Sequence, residues 1–277
     1  MTFDFAKAVK DSSNKDVNLA AIVLGPSGSG KSTIMGTFGV KTLYLYTSGE
    51  SHGPRAAASM PKADLVPVCV DRNGDTVLTP DETFAQTLAI LGSLKELKAA
   101  GIKAIAVDGA SELEAVIRST NQWRVLCTTK DGKHNTFGEP AATALMFRQL
   151  TGALKTAQQT LGCHFAMSCI LDPKELDDDG SIVEASPRLL GFSVAETLIQ
   201  QFDDVLVVGR IRRDDVVKHK VQFMVDLPKV SKDATGRIKR AINFSPRLCG
   251  VRVENLPEYA EADLAKLLEV KRNGGKQ

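Results

Sequence analysis

An α/β fold, with a mainly parallel sheet covered by helices and an antiparallel extension towards the C-terminus, is what this sequence predicts, and three observations predict it. Short apolar, β-branched runs alternate with longer runs of helical period, the pattern of strands joined by crossover helices. The stretch Gly25-Pro26-Ser27-Gly28-Ser29-Gly30-Lys31-Ser32, with Thr33 behind it, satisfies G-x-x-x-x-G-K-[ST] between the first such strand and a helix. A later apolar run, residues 102–107, is closed by a carboxylate, Asp108.

In chain order, residues 3–9 predict a short helix and residues 11–16 a polar connector. Residues 17–24 (VNLAAIVL) read as a buried strand, and residues 31–38 as a helix ending near Gly39. Residues 42–46 (TLYLY) form the second strand, and a loop over 48–54 lies at its carboxyl end, where open α/β sheets place their ligands. A third strand spans 65–70, and a turn rich in Asn, Gly and Asp follows over 71–75. Thr79 is an N-cap, Pro80 the first helical position and Glu82 the partner of a capping box. From there Phe84, Leu88, Leu91, Leu94 and Leu97 hold a helical period to Gly101.

Beyond Asp108, a helix covers 111–119, a polar mobile loop 128–135, a long helix 141–161 and a core strand 163–170. The pattern then changes. An acidic turn covers 172–180, a helix 193–201 and a strand 204–209; meander strands over 216–226 and 240–244 precede a last helix over 259–270 and a polar tail. We read residues 17–255 as one domain, with 1–16 as N-terminal helix and connector and 256–277 as C-terminal helix and tail.

Composition narrows the function classes. At 43% hydrophobic and 25% charged residues, the 277-residue chain has enough apolar side chains for a globular core. No apolar run approaches bilayer length, and the N-terminus is too acidic and polar for a signal peptide. The expectation is a cytoplasmic protein without a membrane partner. Five cysteines without C-x-x-C spacing point to free thiols, and the scattered His52, His134, His164 and His219 lack metal-ligand spacing. The net charge of +2 hides an uneven distribution: residues 210–252 hold twelve Lys/Arg against four Asp, an excess of +8. Such an excess suits a polyanion, a nucleotide shared between subunits, or simply a solvated basic face.

The chemistry centres on the glycine-rich run. Its glycines let the Gly25 to Thr33 loop turn the backbone N–H groups of its residues other than Pro26 towards phosphates at a helix N-terminus. Lys31 is placed for the β- and γ-phosphates of ATP, and Ser32 for Mg2+. Asp108 is a second candidate for Mg2+, with helix capping as its alternative role. Hydrolysis needs a carboxylate to orient or deprotonate water. Glu50 and Glu82 both qualify by position, and the capping box competes for Glu82. Ser168, at the end of the strand beyond that of Asp108, is a candidate γ-phosphate sensor. Trp123 alone makes no base-stacking platform.

The order of these pieces resembles the RecA-like P-loop ATPase core, and within it the compact phage-encoded nucleotide-binding or single-strand annealing ATPases. The residues that bear the resemblance are the glycine-rich run, LYLYTSGES, IAVDGASEL, FRQLTGALKTAQQTL with CHFAMSCI, and SPRLLGFSVAETLIQQFDDVLVV, covering about residues 17–213. The resemblance implies ATP with Mg2+, a homo-oligomeric ring or filament with nucleotide between subunits, and single-stranded DNA in a channel. It puts the DNA-contacting loops at residues 128–138 and 172–191. Two departures stand out: Ser168-Cys169 replaces the usual Gln or His sensor, and Glu175, Asp177, Asp178 and Asp179 would repel phosphates. A cation arriving from a neighbouring subunit would come from Arg210, Arg212 and Arg213, or from Lys232, Arg237, Lys239 and Arg240. Two function classes follow: a recombination-type ATPase acting on single-stranded DNA, and a nucleotide-dependent assembly protein with little turnover and no DNA binding.

Overall fold

The computed structural model describes residues 18–25, 27–176, 182–190, 192–211, 239–243 and 259–272. The helix expected over 3–9, the strand over 216–226, Pro26 and Cys249 lie outside the described residues. Strand β1 (Ala20–Gly25) leads through α1 (Lys31–Met35) and a 3-10 turn (Gly36–Phe38) to β2 (Lys41–Tyr46). Helix α2 (Gly53–Ala58), β3 (Asp64–Cys69) and a small hairpin of β4 (Arg72–Asn73) and β5 (Thr76–Val77) follow. Helices α3 (Pro80–Gly92) and α4 (Leu94–Ala99) precede β6 (Ala104–Asp108); α5 (Ala110–Ser119), α6 (Asn121–Leu126) and α7 (Glu139–Leu161) precede β7 (His164–Leu176). The chain continues with β8 (Ile182–Pro187), α8 (Phe192–Ile199), β9 (Asp204–Ile211), β10 (Lys239–Asn243), β11 (Tyr259–Glu261) and α9 (Leu264–Arg272).

The sheet runs β11-β10-β9-β1-β7-β6-β2-β3, and the six strands from β9 to β3 are parallel. β10 and β11 add the antiparallel extension. Period-2 alternation divides β1 between two cores. Ala20, Ile22 and Leu24 face the layer built by α3 to α8, whereas Leu19, Ala21 and Val23 face α1, α2 and α9. Both faces of β1 are therefore covered, which is why its sequence is a continuous apolar run. Among the described residues no helix is long and apolar enough to cross a membrane.

Several expectations are corrected by local chemistry. The helix expected from Thr79 to Gly101 breaks at Ser93, whose hydroxyl donates to the Ile90 carbonyl at 2.6 Å after a weak helix former, Gly92. The loop over 48–54 contains a 3-10 turn (Ser48–Glu50) and the start of α2, where Pro54 occupies a first-turn position. A helix, α6, fills residues that showed no pattern; its N-cap Thr120 accepts from Trp123 N–H at 3.1 Å. The loop over 128–135 is fastened: Asn135 N–H donates to Cys127 O at 2.7 Å, and His134 meets Glu139 at 2.7 Å. Residues 171–176 do not turn but continue β7 into a hairpin with β8, with register shifts between Pro173 and Glu175 and between Glu175 and Leu176. Tyr259 does not begin the last helix. Residues 259–261 pair with β10, and the helix starts after Asp263, whose carboxylate accepts from Lys266 N–H at 3.0 Å.

Helix α9 docks on the core by its apolar face. Its Leu264, Leu267 and Leu268 are buried, worth about 2 kcal/mol each as removed apolar surface. Lys271 reaches the buried Asp204 at 2.6 Å. On the same face the α1 end and α2 touch backbone to backbone: a Cβ on Gly36 would overlap the Ala57 carbonyl. Gly36→Ala is therefore expected to cost about 1–3 kcal/mol by overpacking. A lowered urea midpoint at unchanged slope checks this, and a parental midpoint would show that the two segments are not in contact.

Candidate functional site

The parallel strands bring their carboxyl ends to one edge, and the chain turns in opposite directions on either side of β1 there. A crevice at such a switch point is the standard location for a ligand. Because β7 lies between β1 and β6, Ser168 is placed beside Val23, next to the P-loop strand, while Asp108 ends the following strand. Tyr46 pairs with Asp108, so β2 delivers the turn containing Glu50 to the same edge.

The glycine-rich loop has the backbone its composition implies. Gly28 and Gly30 adopt φ of 72° and 100°, left-handed values that L side chains rarely take. Gly30 is the N-cap of α1, and neither a capping side chain nor an acidic residue occupies that first turn. A Cβ on Gly25 would collide with Ser29 Oγ and the Val208 carbonyl. Ser29 Oγ is buried without a hydrogen-bond partner among the described residues, an orphaned donor within a loop suited to anions. Pro26 lies outside the described residues.

A cavity of about 230 Å³ opens beside this loop. Ser27, Gly28, Gly30, Lys31, Ser32 and Thr33 line one side; Glu50, Asp108 and Ser168 line the other. His52, Gly53, Ala56, Gly109, Ser111, Cys169 and Ile170 complete it. Lys31 Nζ donates to Gly25 O at 3.0 Å. Burial holds its pKa below the ordinary value, against the opposing pull of Asp108 and Glu50. Burial also raises the Glu50 pKa, helped by the negative charges of Asp108 and Glu112, while Lys31 works the other way. Burial pushes the Cys169 thiol up to about 11, so it is no nucleophile.

Glu82 is not brought to this cavity. Its carboxylate accepts from the Thr79 N–H and hydroxyl, both at 2.8 Å, in an exposed capping box. Asp108 is 3% exposed and accepts from the hydroxyls of Tyr44 and Ser168, one on each oxygen. The Ser32 side chain acts on the same Tyr44 hydroxyl, easing its pKa downward. Burial, reinforced by Asp108, drives the Tyr44 phenol far above its ordinary pKa, so it remains a neutral donor. Ser168 thus sits on the carboxylate. Tyr44, which in sequence is one more apolar strand residue, is a functional neighbour that sequence reasoning missed. Gly53 is another: a Cβ there would overlap Asp108 Oδ2 and come within 2.9 Å of the Tyr44 hydroxyl.

Among the described residues no group of three or more His, Cys, Asp or Glu is arranged around a metal. A hard cation such as Mg2+ does not require one, because it takes one or two protein oxygens and completes its shell with phosphate and water. Ser32 and Asp108 are oxygen donors on the same cavity and fit that requirement.

No family model matches the chain, and no curated protein matches it. Solved structures do match; one is the crystal structure of the RadB recombinase, at a TM-score of 0.34 and 14% identity, covering 70% of this chain and 75% of that one.

Tyr44→Phe removes one donor from a buried carboxylate, which is expected to cost about 1–3 kcal/mol of stability. The loss should shrink in an Asp108→Asn background, where no charge needs that donor. Equal losses in both backgrounds, read from urea unfolding, would separate Tyr44 from Asp108.

Proposed function

We propose that this chain binds ATP with Mg2+ and hydrolyses it, with Glu50 as the carboxylate that orients and deprotonates water. The observation that supports this best is the single cavity that joins the glycine-rich loop, Lys31 and Ser32 to Asp108 and Glu50. The loop backbone and Lys31 bind the phosphates, where the partly desolvated ammonium acts at short range. Ser32 and Asp108 would hold the cation, which supplies neutralising charge to the phosphate oxygens when bound. Glu50 takes a proton from water as the new P–O bond forms; ADP departs and inorganic phosphate remains. Its raised pKa makes it a better base than an exposed glutamate. Glu82 remains the competing candidate from sequence, and its engagement as a cap favours Glu50.

Lys31→Ala is expected to lower turnover by about two orders of magnitude or more. Glu50→Gln should do the same while ATP stays bound, whereas Glu82→Gln should keep kcat and lose only thermal stability. Because the base must be ionised, kcat should rise with pH through a midpoint above the ordinary 4.5 of glutamate. A dead Glu82→Gln beside an active Glu50→Gln would reverse the assignment.

We further propose an oligomer of RecA-like character, with single-stranded DNA as partner. Among the described residues Lys31 is the one Lys or Arg lining the cavity, so charge developing on the γ-phosphate calls for a second cation. β9 runs parallel to β1 and β10 pairs antiparallel with it, so β9 ends at Ile211 and β10 begins at Lys239 on the carboxyl edge of the parallel strands, with the segment 212–238 between them in sequence. Lys232 and Arg237 belong to that segment and lie outside the described residues, as do Arg212 and Arg213. The Lys232→Ala, Arg237→Ala protein, mixed with excess Lys31→Ala subunits, should regain activity that neither has alone. Single-strand binding should weaken steeply with salt. Full activity of the double variant alone, with no DNA binding at low salt, would favour the assembly protein.

A further inference from the structure

Glu50 sits on a short 3-10 turn, Ser48–Glu50, in which Gly49 is exposed and Glu50 is only half-buried. Glu50 N–H donates to Thr47 O at 2.9 Å, which ties the glutamate back to the end of β2. A carboxylate that must hold water needs firmer placement than such a turn provides, because misplacement by about 1 Å can cost a hundredfold in rate.

The firm attachment comes from the next strand. β2 and β3 pair in register, Tyr46 with Cys69, and Val70 N–H donates to Tyr46 O at 2.8 Å. Asp71 therefore arrives beside Ser48. Its carboxylate accepts Ser48 N–H on both oxygens, at 2.9 and 3.0 Å, and also the Ser48 hydroxyl and the Cys69 thiol, the latter at 3.0 Å. Burial alone would raise the Asp71 pKa, but the bonds from Cys69 and Ser48 outweigh it and hold the carboxyl below its ordinary value. The carboxylate is thus stabilised in its charged form and accepts from these donors. Asp71 is itself held: Gln86 of α3 donates to Val70 O at 3.2 Å and Arg72 O at 3.1 Å, and Leu78 N–H donates to Asp71 O at 2.9 Å.

We propose that Asp71 is a positioning residue for hydrolysis, clamping Ser48 so that the turn presents Glu50 to the cavity. This rests on the reading of Glu50 as the water-activating carboxylate. The action is geometric. The charges that act on Glu50 are those of Asp108, Glu112 and Lys31, so removing the Asp71 charge leaves the Glu50 pKa in place. Asp71 touches neither the glycine-rich loop nor Lys31, so ATP affinity is not its concern.

The test uses the full chain, with ATP hydrolysis and equilibrium ATP binding read separately. Asp71→Asn, which keeps the shape but sets an NH2 group against donors, is expected to lower kcat by about 10- to 100-fold. ATP affinity should stay within about twofold, and the pH midpoint of kcat should not move. In a Glu50→Gln background, assayed with labelled ATP at high enzyme concentration, the same substitution should cause no further loss. A parental kcat for Asp71→Asn beside a dead Glu50→Gln overturns this proposal alone, as does an equal loss in both backgrounds. A parental kcat for Glu50→Gln overturns the assignment of Glu50 and the proposal with it. If Asp71→Asn fails to fold, as circular dichroism would show, Ser48→Ala replaces it. Losing the hydroxyl arm should lower kcat several-fold in the parent and not at all in Glu50→Gln; a parental kcat for Ser48→Ala then counts against the clamp.

Discussion

A carboxylate buried to 3% exposure must have its charge met, and at Asp108 this constraint organises the whole ligand edge of the sheet. Its donors come from both neighbouring strands of β6: Tyr44 from β2 and Ser168 from β7. The strand order β1-β7-β6-β2 is what makes this possible, because a carboxylate on any other strand would lack one of those neighbours. Neutral hydroxyls do not cancel the charge; they orient it and leave it available to Lys31 and to a cation. A carboxylate offers about four acceptor sites, so two hydroxyl donors do not saturate it.

Close backbone approach is the second requirement, and glycine meets it at three places. Gly25 lets the loop leave β1 past Val208, Gly53 lets α2 begin against Asp108, and Gly36 lets α1 and α2 touch. The outcome is that α1 and α2 bracket one side of the cavity as a packed pair, so Lys31 and Ser32 hang from an element fixed on both flanks. On the opposite side, Ser111 and Glu114 of α5 hold the segment after β8. Ser111 donates to Arg188 O at 3.2 Å, and Glu114 accepts from Leu190 N–H at 2.6 Å. The helix that follows β6 is thereby tied to the segment just after the hairpin that leaves β7.

Much of this was legible in the sequence, for physical reasons. The parallel core strands are buried on both faces and read as unbroken apolar runs; the glycine-rich loop needs fixed residues at fixed spacing; the Thr79 capping box is a local signal. What stayed hidden depends on neighbours distant in sequence. Nothing local marks Tyr44 as different from Leu43 or Leu45, since its hydroxyl matters only because β6 pairs with β2. Gly53 reads as a loop glycine until Asp108 is placed beside it. Asp71, within an Asn/Gly/Asp turn, has the composition of any turn until β3 pairs with β2. Glu50 and Glu82 both qualify by position, with the capping box a local signal against Glu82, and the tertiary arrangement is what puts Glu50 on the cavity and leaves Glu82 an exposed cap. Residues 259–261 share the helical composition that follows them, so nothing local marks Asp263 as the N-cap that ends the strand and starts the helix.

The central claim is that Asp108, Ser32 and the glycine-rich loop form one site for a nucleoside triphosphate and its cation. Calorimetric titration of the purified chain with ATP, in the presence and absence of Mg2+, tests it most directly. The account expects saturable binding of one ATP per chain, tightened by Mg2+, with the tightening lost in Asp108→Asn although that protein remains folded. ATP binding that ignores both Mg2+ and the Asp108→Asn substitution would contradict it.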